Sequence, residues 1–188
     1  LVAEDFVWSW ERILTPSLGS QYPDMLYYLE GASDFHQGKT TDFTSVGVKA
    51  LNDHVLEVKL KNPTPFFIKL LSHYSTYPVH KKTILAHGSI DDRNGQWTRP
   101  GNFVCNGPMN LKTWELNKQI TVEKNPLYWD AENVQLNEIR YFPVSNESTE
   151  DRMFRAGQLH VTSVVPLEKC PVYIENKNPN LRIEPYMG

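Results

Sequence analysis

The stretch VGVKALNDHVLEVKL, residues 46–60, alternates apolar and polar side chains on either side of Asn52, Asp53 and His54. Val46, Val48 and Ala50 fall on one arm, and Leu56, Val58 and Leu60 on the other. Period two, with turn-forming Asn and Asp between the arms, predicts a β-hairpin. Its opposite face carries Lys49, Glu57, Lys59 and Lys61, so one side of the hairpin meets water and the other a core. Upstream, Phe6, Val7, Trp10, Ile13 and Leu14 recur at three- and four-residue spacing behind Glu4 and Asp5, and Pro16 follows. That pattern predicts an amphipathic helix over residues 4–14, with its acidic end where the helix dipole favours negative charge. Helix and hairpin together point to a mixed α+β (α/β) fold.

Downstream of the hairpin, Pro63-Thr64-Pro65 stops the second strand, and Phe66, Phe67, Leu70 and Leu71 predict a short, largely buried helix. Residues 17–39 read as loop with a helical turn near residues 24–29. Residues 87–100 turn to Gly, Asp, Asn and Arg, which predicts an exposed connection and a boundary between lobes, residues 1–88 on one side and 89–188 on the other. A second hairpin is expected over residues 109–124 around Asn117-Lys118, then a strand over 138–144. Ser148 with Asp151 resembles a capping box opening a helix through Arg155, and Gly157 is its natural C-cap. Short strands are expected at 159–162 and 181–184, with a mixed segment at 166–175 and a turn at 178–180.

Composition narrows the function. The 188 residues are 40% hydrophobic and 12% aromatic, which suits a folded globular chain. Lys and Arg number 19 against 22 Asp and Glu, a net charge of −3, so there is no excess positive charge to neutralise a phosphate backbone and nucleic acid is not an expected partner. Mean hydropathy is −0.48, and no apolar run reaches the roughly 20 residues that a bilayer span needs. Cys105 and Cys170 belong to no C-x-x-C motif, so zinc is not indicated; spacing alone leaves open whether they bridge.

Motifs for covalent or nucleotide chemistry are missing. The chain has no G-x-S-x-G, H-E-x-x-H, G-x-G-x-x-G or Walker-type loop, and no cofactor is expected. Asp91 and Asp92 near His87 are the one pairing from which a hydrolase could be built, but adjacent acids in a Gly/Asn segment read first as solvated loop residues. His80 and His87 likewise read first as structural. The tyrosines are more suggestive, since a large apolar face with one hydroxyl lines pockets that must accept varied side chains.

The run Ala3-Glu4-Asp5-Phe6-Val7-Trp8-Ser9-Trp10 resembles a segment of the oligopeptide- and dipeptide-binding proteins of bacterial ABC importers, extracytoplasmic solute-binding proteins of family 5. Similar matches follow in order: Gly47-Val48-Lys49-Ala50-Leu51, Pro63-Thr64-Pro65-Phe66-Phe67, Tyr77-Pro78-Val79, Asn106-Gly107-Pro108, Glu123-Lys124-Asn125-Pro126 and Phe154-Arg155-Ala156-Gly157. Met109 replaces an aromatic and His160 an acid of the family pattern, and residues 88–96 are longer than usual.

The resemblance implies a periplasmic-binding-protein-like two-lobe fold of which these residues cover a middle portion: residues 1–88 part of the small lobe, 89–188 part of the main ligand-binding lobe. It implies a non-enzymatic, monomeric protein, periplasmic or held at the cell surface by a lipid anchor. Such a protein encloses short peptides and delivers them to the membrane permease subunits of an ABC transporter. Tyr28, Ser163 and Tyr186 are the ligand-binding residues it suggests. The alternatives are the same fold binding another solute, such as a metal chelate, an oligosaccharide or haem, and the hydrolase built on Asp91 or Asp92 with His87. Leu1 is then expected to lie inside a longer chain.

Overall fold

The computed structural model describes residues Leu1–Glu184. Packing divides the described residues into two compact units: Leu1–Trp114 with Thr121–Ile139, and Glu115–Ile120 with residues 140–184. Residues 87–100 fall within the first unit. Among the described residues no helix is long and apolar enough to cross a membrane.

The first unit is built on the expected helix and hairpin. Helix α1 spans Ala3–Leu14, with Glu4 and Asp5 in its first turn, and the Asp5 carboxylate accepts from Val2 N–H at 2.8 Å. Strands β1 (Val48–Asn52) and β2 (Val55–Val58) pair antiparallel, Val48 opposite Val58 and Ala50 opposite Leu56. The Asn52 side chain accepts from His54 N–H at 2.9 Å and so closes the turn, while the Asp53 carbonyl accepts from Ala3 N–H, giving one otherwise orphaned amide of α1 a partner. Val46 and Val48 face inward and are buried; Lys49, Glu57 and Lys59 face water. Trp10, Leu14, Leu26, Leu29, Ala32, Phe35 and Phe67 complete the core with them.

Residues 28–30 run beside the end of the hairpin. Leu29 bridges Leu60, Lys61 N–H donates to the Tyr28 carbonyl at 2.8 Å, and Glu30 N–H donates to the Lys59 carbonyl at 3.0 Å. Gly47 sits where a Cβ would stand 2.4 Å from the Lys59 carbonyl oxygen, so only glycine lets these backbones meet. The expected turn near residues 24–29 is a 3-10 segment at Pro23–Leu26, and helix α2 (Ala32–His36) lies where a loop was expected. Helix α3 is only Phe67–Leu70, and it corrects the expectation of burial: Phe67 is buried, but a one-turn helix has one face on the core, which leaves Phe66 49% and Ile68 77% exposed. Helix α4 (Lys81–Ala86) follows.

The segment after α4 is tied to α1. The buried Arg12 guanidinium donates to the carbonyls of Ser89, Ile90 and Asp92. Burial pushes its pKa below the ordinary value, opposed by the nearby Asp92 and Asp91.

The second sheet has the order β3-β4-β5, from Met109–Glu115, Gln119–Lys124 and Glu138–Tyr141. The hairpin of β3 and β4 is as expected, with Asn117 of its turn in the left-handed region at φ 56°. Strand β5 stops at Tyr141, short of the expected residue 144, just before Pro143, which has no N–H to give a ladder.

In the second unit, helix α5 spans Glu147–Arg155 and is capped by Asn146, whose side chain accepts from Thr149 N–H at 2.8 Å. The cap is therefore Asn146, two residues ahead of the expected Ser148. Gly157, at φ 73°, ends the helix as expected: its N–H donates to the Phe154 carbonyl and that of Gln158 to Met153, a Schellman pair. Helix α6 spans Cys170–Glu175, within the segment read as mixed. The strands expected at residues 159–162 and 181–184 are irregular instead, because their neighbourhood bonds elsewhere: Ser163 N–H donates to the Glu150 carboxylate, and Leu181 N–H closes a turn on the Asn178 carbonyl.

Candidate functional site

Tyr28 is set on the strand-like segment beside β2, its backbone fixed by the bond from Lys61. Its ring meets Phe66 edge-on, with centroids 5.4 Å apart and planes at 89°. The residue is 37% exposed, and its hydroxyl has no hydrogen-bond partner among the described residues. Other tyrosines are already occupied: Tyr77 donates to the Ser72 carbonyl at 2.8 Å, and Tyr173 to the Asp151 carboxylate at 2.6 Å. Tyr28 thus combines a clamped ring with an uncommitted hydroxyl.

Ser163 belongs to the second unit. Its N–H and its hydroxyl both donate to the Glu150 carboxylate, at 2.7 and 2.9 Å, so α5 fixes the side chain. Tyr28 and Ser163 lie in different compact units, and neither unit by itself brings them together. Tyr186 lies outside the described residues.

The acids near His87 are engaged in shaping their loop. Asp91 accepts from the hydroxyls of Ser17 and Ser89, at 2.7 and 2.6 Å, and those bonds hold its carboxyl below the usual carboxylate range. Asp92 accepts from Asn94 N–H at 2.8 Å, and its carboxylate would stand 2.7 Å from a Cβ on Gly88. His80 is bonded to the Thr83 hydroxyl at 2.7 Å. Among the described residues no group of three or more His, Cys, Asp and Glu is placed to hold a metal, and Cys105 and Cys170 are free thiols.

Two concavities of the first unit escaped the sequence reading. One is an apolar groove of about 440 Å³ between α1, β2 and α3, lined by residues including Phe6, Trp10, Leu56, Leu60, Phe67 and Tyr77. The other, about 240 Å³, is lined by Ile13, Ser20, Gln21, Tyr22, Tyr74 and Ser75. Beside it Tyr22, His73 and Tyr74 form an aromatic cluster, with His73 stacked on Tyr74 at 4.3 Å. Nothing in the spacing of these residues marks them, because they converge from separate loops.

Several of the short family-like motifs hold packing locks. The Ser9 hydroxyl accepts from Val79 N–H at 2.8 Å, and Trp10 Nε1–H donates to the Thr76 carbonyl at 2.9 Å. Asn125 donates from its amide to the Gly107 carbonyl at 2.8 Å and accepts from Leu127 N–H at 3.0 Å. The bonds of Ser9 to Val79, Trp10 to Thr76 and Asn125 to Gly107 join segments far apart in sequence, so order along the chain and fold are one signal.

Comparison with known proteins agrees. The chain is 36% identical over 190 residues to the periplasmic oligopeptide-binding protein OppA of Escherichia coli, covering 100% of this chain and 34% of that protein. It is also 36% identical over 190 residues to the "Probable deoxycholate-binding periplasmic protein YgiS" of Escherichia coli, again 100% of this chain and 34% of that protein. Among solved structures, Haemophilus influenzae OppA in complex with RPPGFSPFR superposes with a TM-score of 0.84 at 29% identity, over 95% of this chain and 34% of that one. The chain therefore spans about a third of the length of the relatives it matches, and its fold is part of a periplasmic-binding-protein-like architecture. A family model described as bacterial extracellular solute-binding proteins, family 5 Middle, matches residues 1–188, and the chain belongs to that family.

Proposed function

We propose that this chain is part of the extracytoplasmic solute-binding component of an ABC importer, a protein that captures short peptides and hands them to membrane permease subunits. The observation that carries the reading is the match of all 188 residues to a solute-binding family. In this reading residues 1–88 are a portion of the small lobe and 89–188 a portion of the main lobe, and the protein acts as a monomer in the periplasm or at a lipid-anchored cell surface. Tyr28, Ser163 and Tyr186 contact the solute, Tyr28 through its hydroxyl and exposed ring face. Peptides share a backbone, and binding by enclosure and hydrogen bonding to that backbone takes many sequences without covalent chemistry. The engagement of Asp91 and Asp92 by Ser17, Ser89 and Asn94 supports this over hydrolysis.

A second reading, the same fold holding a solute other than a peptide, is favoured by the name of YgiS, at the same identity as OppA. Calorimetric titration of the complete protein with mixed short peptides and, separately, with deoxycholate decides between them. Saturable heat with peptides, weakened roughly tenfold by Tyr28→Ala, is expected, as for loss of an anchoring aromatic. Saturation by deoxycholate alone would overturn the peptide reading.

A further inference from the structure

Tyr28 and Phe66 form a pair that the sequence separates by a hairpin and a proline-bounded turn. Each is fixed by its backbone from a different direction. The Tyr28 carbonyl is bonded to Lys61 N–H, and Phe66 stands at the start of α3, where Phe67 N–H donates to the Thr64 carbonyl and Leu70 N–H to the Phe66 carbonyl. The rings meet at 89° with centroids 5.4 Å apart, the edge-to-face geometry in which a positive ring edge faces a negative ring face. Both residues are substantially exposed, so the contact is not a by-product of core burial. The Tyr28 hydroxyl is bonded to nothing among the described residues, which leaves Phe66 as the one ring contact that holds the phenol at a defined angle.

We propose that Phe66 is a positioning residue: it orients the ring of Tyr28 so that the hydroxyl is presented to the bound peptide, without itself supplying the polar contact. The proposal rests on the reading of Tyr28 as a peptide contact. Without Phe66 the ring gains freedom about its side-chain torsions, and the bond its hydroxyl makes must then fix that freedom on binding. Because Pro65 and the first turn of α3 set the position of Phe66, the orientation is built in before any ligand arrives.

The test uses the complete protein and calorimetric titration with one short peptide found to bind the wild type. Phe66→Leu is expected to weaken binding about 3- to 10-fold, the range an edge-to-face aromatic contact carries. Phe66→Tyr keeps a ring at the site and is expected to bind like the wild type, and both variants should melt close to it, since Phe66 lies outside the buried core. In a Tyr28→Ala background Phe66→Leu should cost nothing further, because the ring it positions is gone. Equal loss in both backgrounds, no loss from Phe66→Leu, or failure of Phe66→Tyr to rescue would overturn the positioning role while leaving the peptide reading intact. Absence of peptide binding by the wild type would overturn the peptide reading and the proposal with it.

Discussion

In the first compact unit Trp10, Leu14, Leu26, Leu29 and Ala32 are each at most 1% exposed, whereas among the described residues of the second only Asp151 and Pro166 are buried. The first unit is held by apolar side chains removed from water, each large one worth about 1.5–3 kcal/mol when fully buried. The second is held by polar contacts that converge on α5. Asp151 accepts from Lys169 at 2.5 Å and from Tyr173 at 2.6 Å, Glu150 accepts from Ser163, and Glu168 accepts from the Ser148 hydroxyl at 3.1 Å. One chain thus uses two kinds of stabilisation with different sensitivities: the first unit answers to volume, the second to charge and hydrogen bonding.

The largest effect is expected in the first unit. Trp10→Ala removes a fully buried indole and its bond to the Thr76 carbonyl, and should cost about 3–5 kcal/mol, seen as a lowered thermal midpoint. Hydrogen exchange should place the loss of protection in α1 and the β1–β2 hairpin. Equal loss in α5 would break the distinction between the units.

Asp151→Asn should cost about 1–3 kcal/mol, because it takes a charged acceptor from both Lys169 and Tyr173, and should deprotect the amides of α5 and α6 first. The same contacts give the second unit a pH window. Lys169 foremost, then Tyr173, holds the Asp151 carboxyl below its ordinary value, so the stability it contributes is complete above the unfolded value of about 3.9 and is lost as pH falls through the folded value. The bond to Asp151 raises the Tyr173 phenol, which therefore contributes below about pH 10 and stops doing so as pH rises through its folded value. Exchange measured from pH 7 down to 2 should show α5 and α6 opening before α1. The smallest effect is expected from Asn146→Ala, which removes one cap bond and should cost about 1 kcal/mol, confined to the first turn of α5.

Much of the first unit was legible in the sequence. The alternation of Val46, Val48, Ala50 and of Leu56, Val58, Leu60 is the signature of a sheet with one wet face, and all of these but Ala50 lie in or pack against the core. The resemblance to the solute-binding family was legible for a related reason: Ser9, Trp10, Gly47 and Asn125 are locks whose chemistry tolerates few substitutes. The second unit was less legible because few apolar residues there are buried, so neither period two nor period 3.6 was enforced. The strands expected at 159–162 and 181–184 gave way to the bonds of Ser163 to Glu150 and of Leu181 to Asn178, and the cap fell on Asn146 instead of Ser148 because its side chain accepts from Thr149 N–H. The candidate site was legible only in part. Tyr28 could be named from the resemblance, but its pairing with Phe66 depends on a hairpin returning beside residue 28, and the two concavities depend on helices, a strand and loops that converge only in three dimensions.

The most direct test compares calorimetric titrations of mixed short peptides into the complete protein and into these 188 residues alone. Capture by enclosure predicts saturable heat from the complete protein and none from the 188 residues, which span about a third of the relatives they match. Micromolar binding by the 188 residues alone, or no peptide binding by the complete protein, would contradict it.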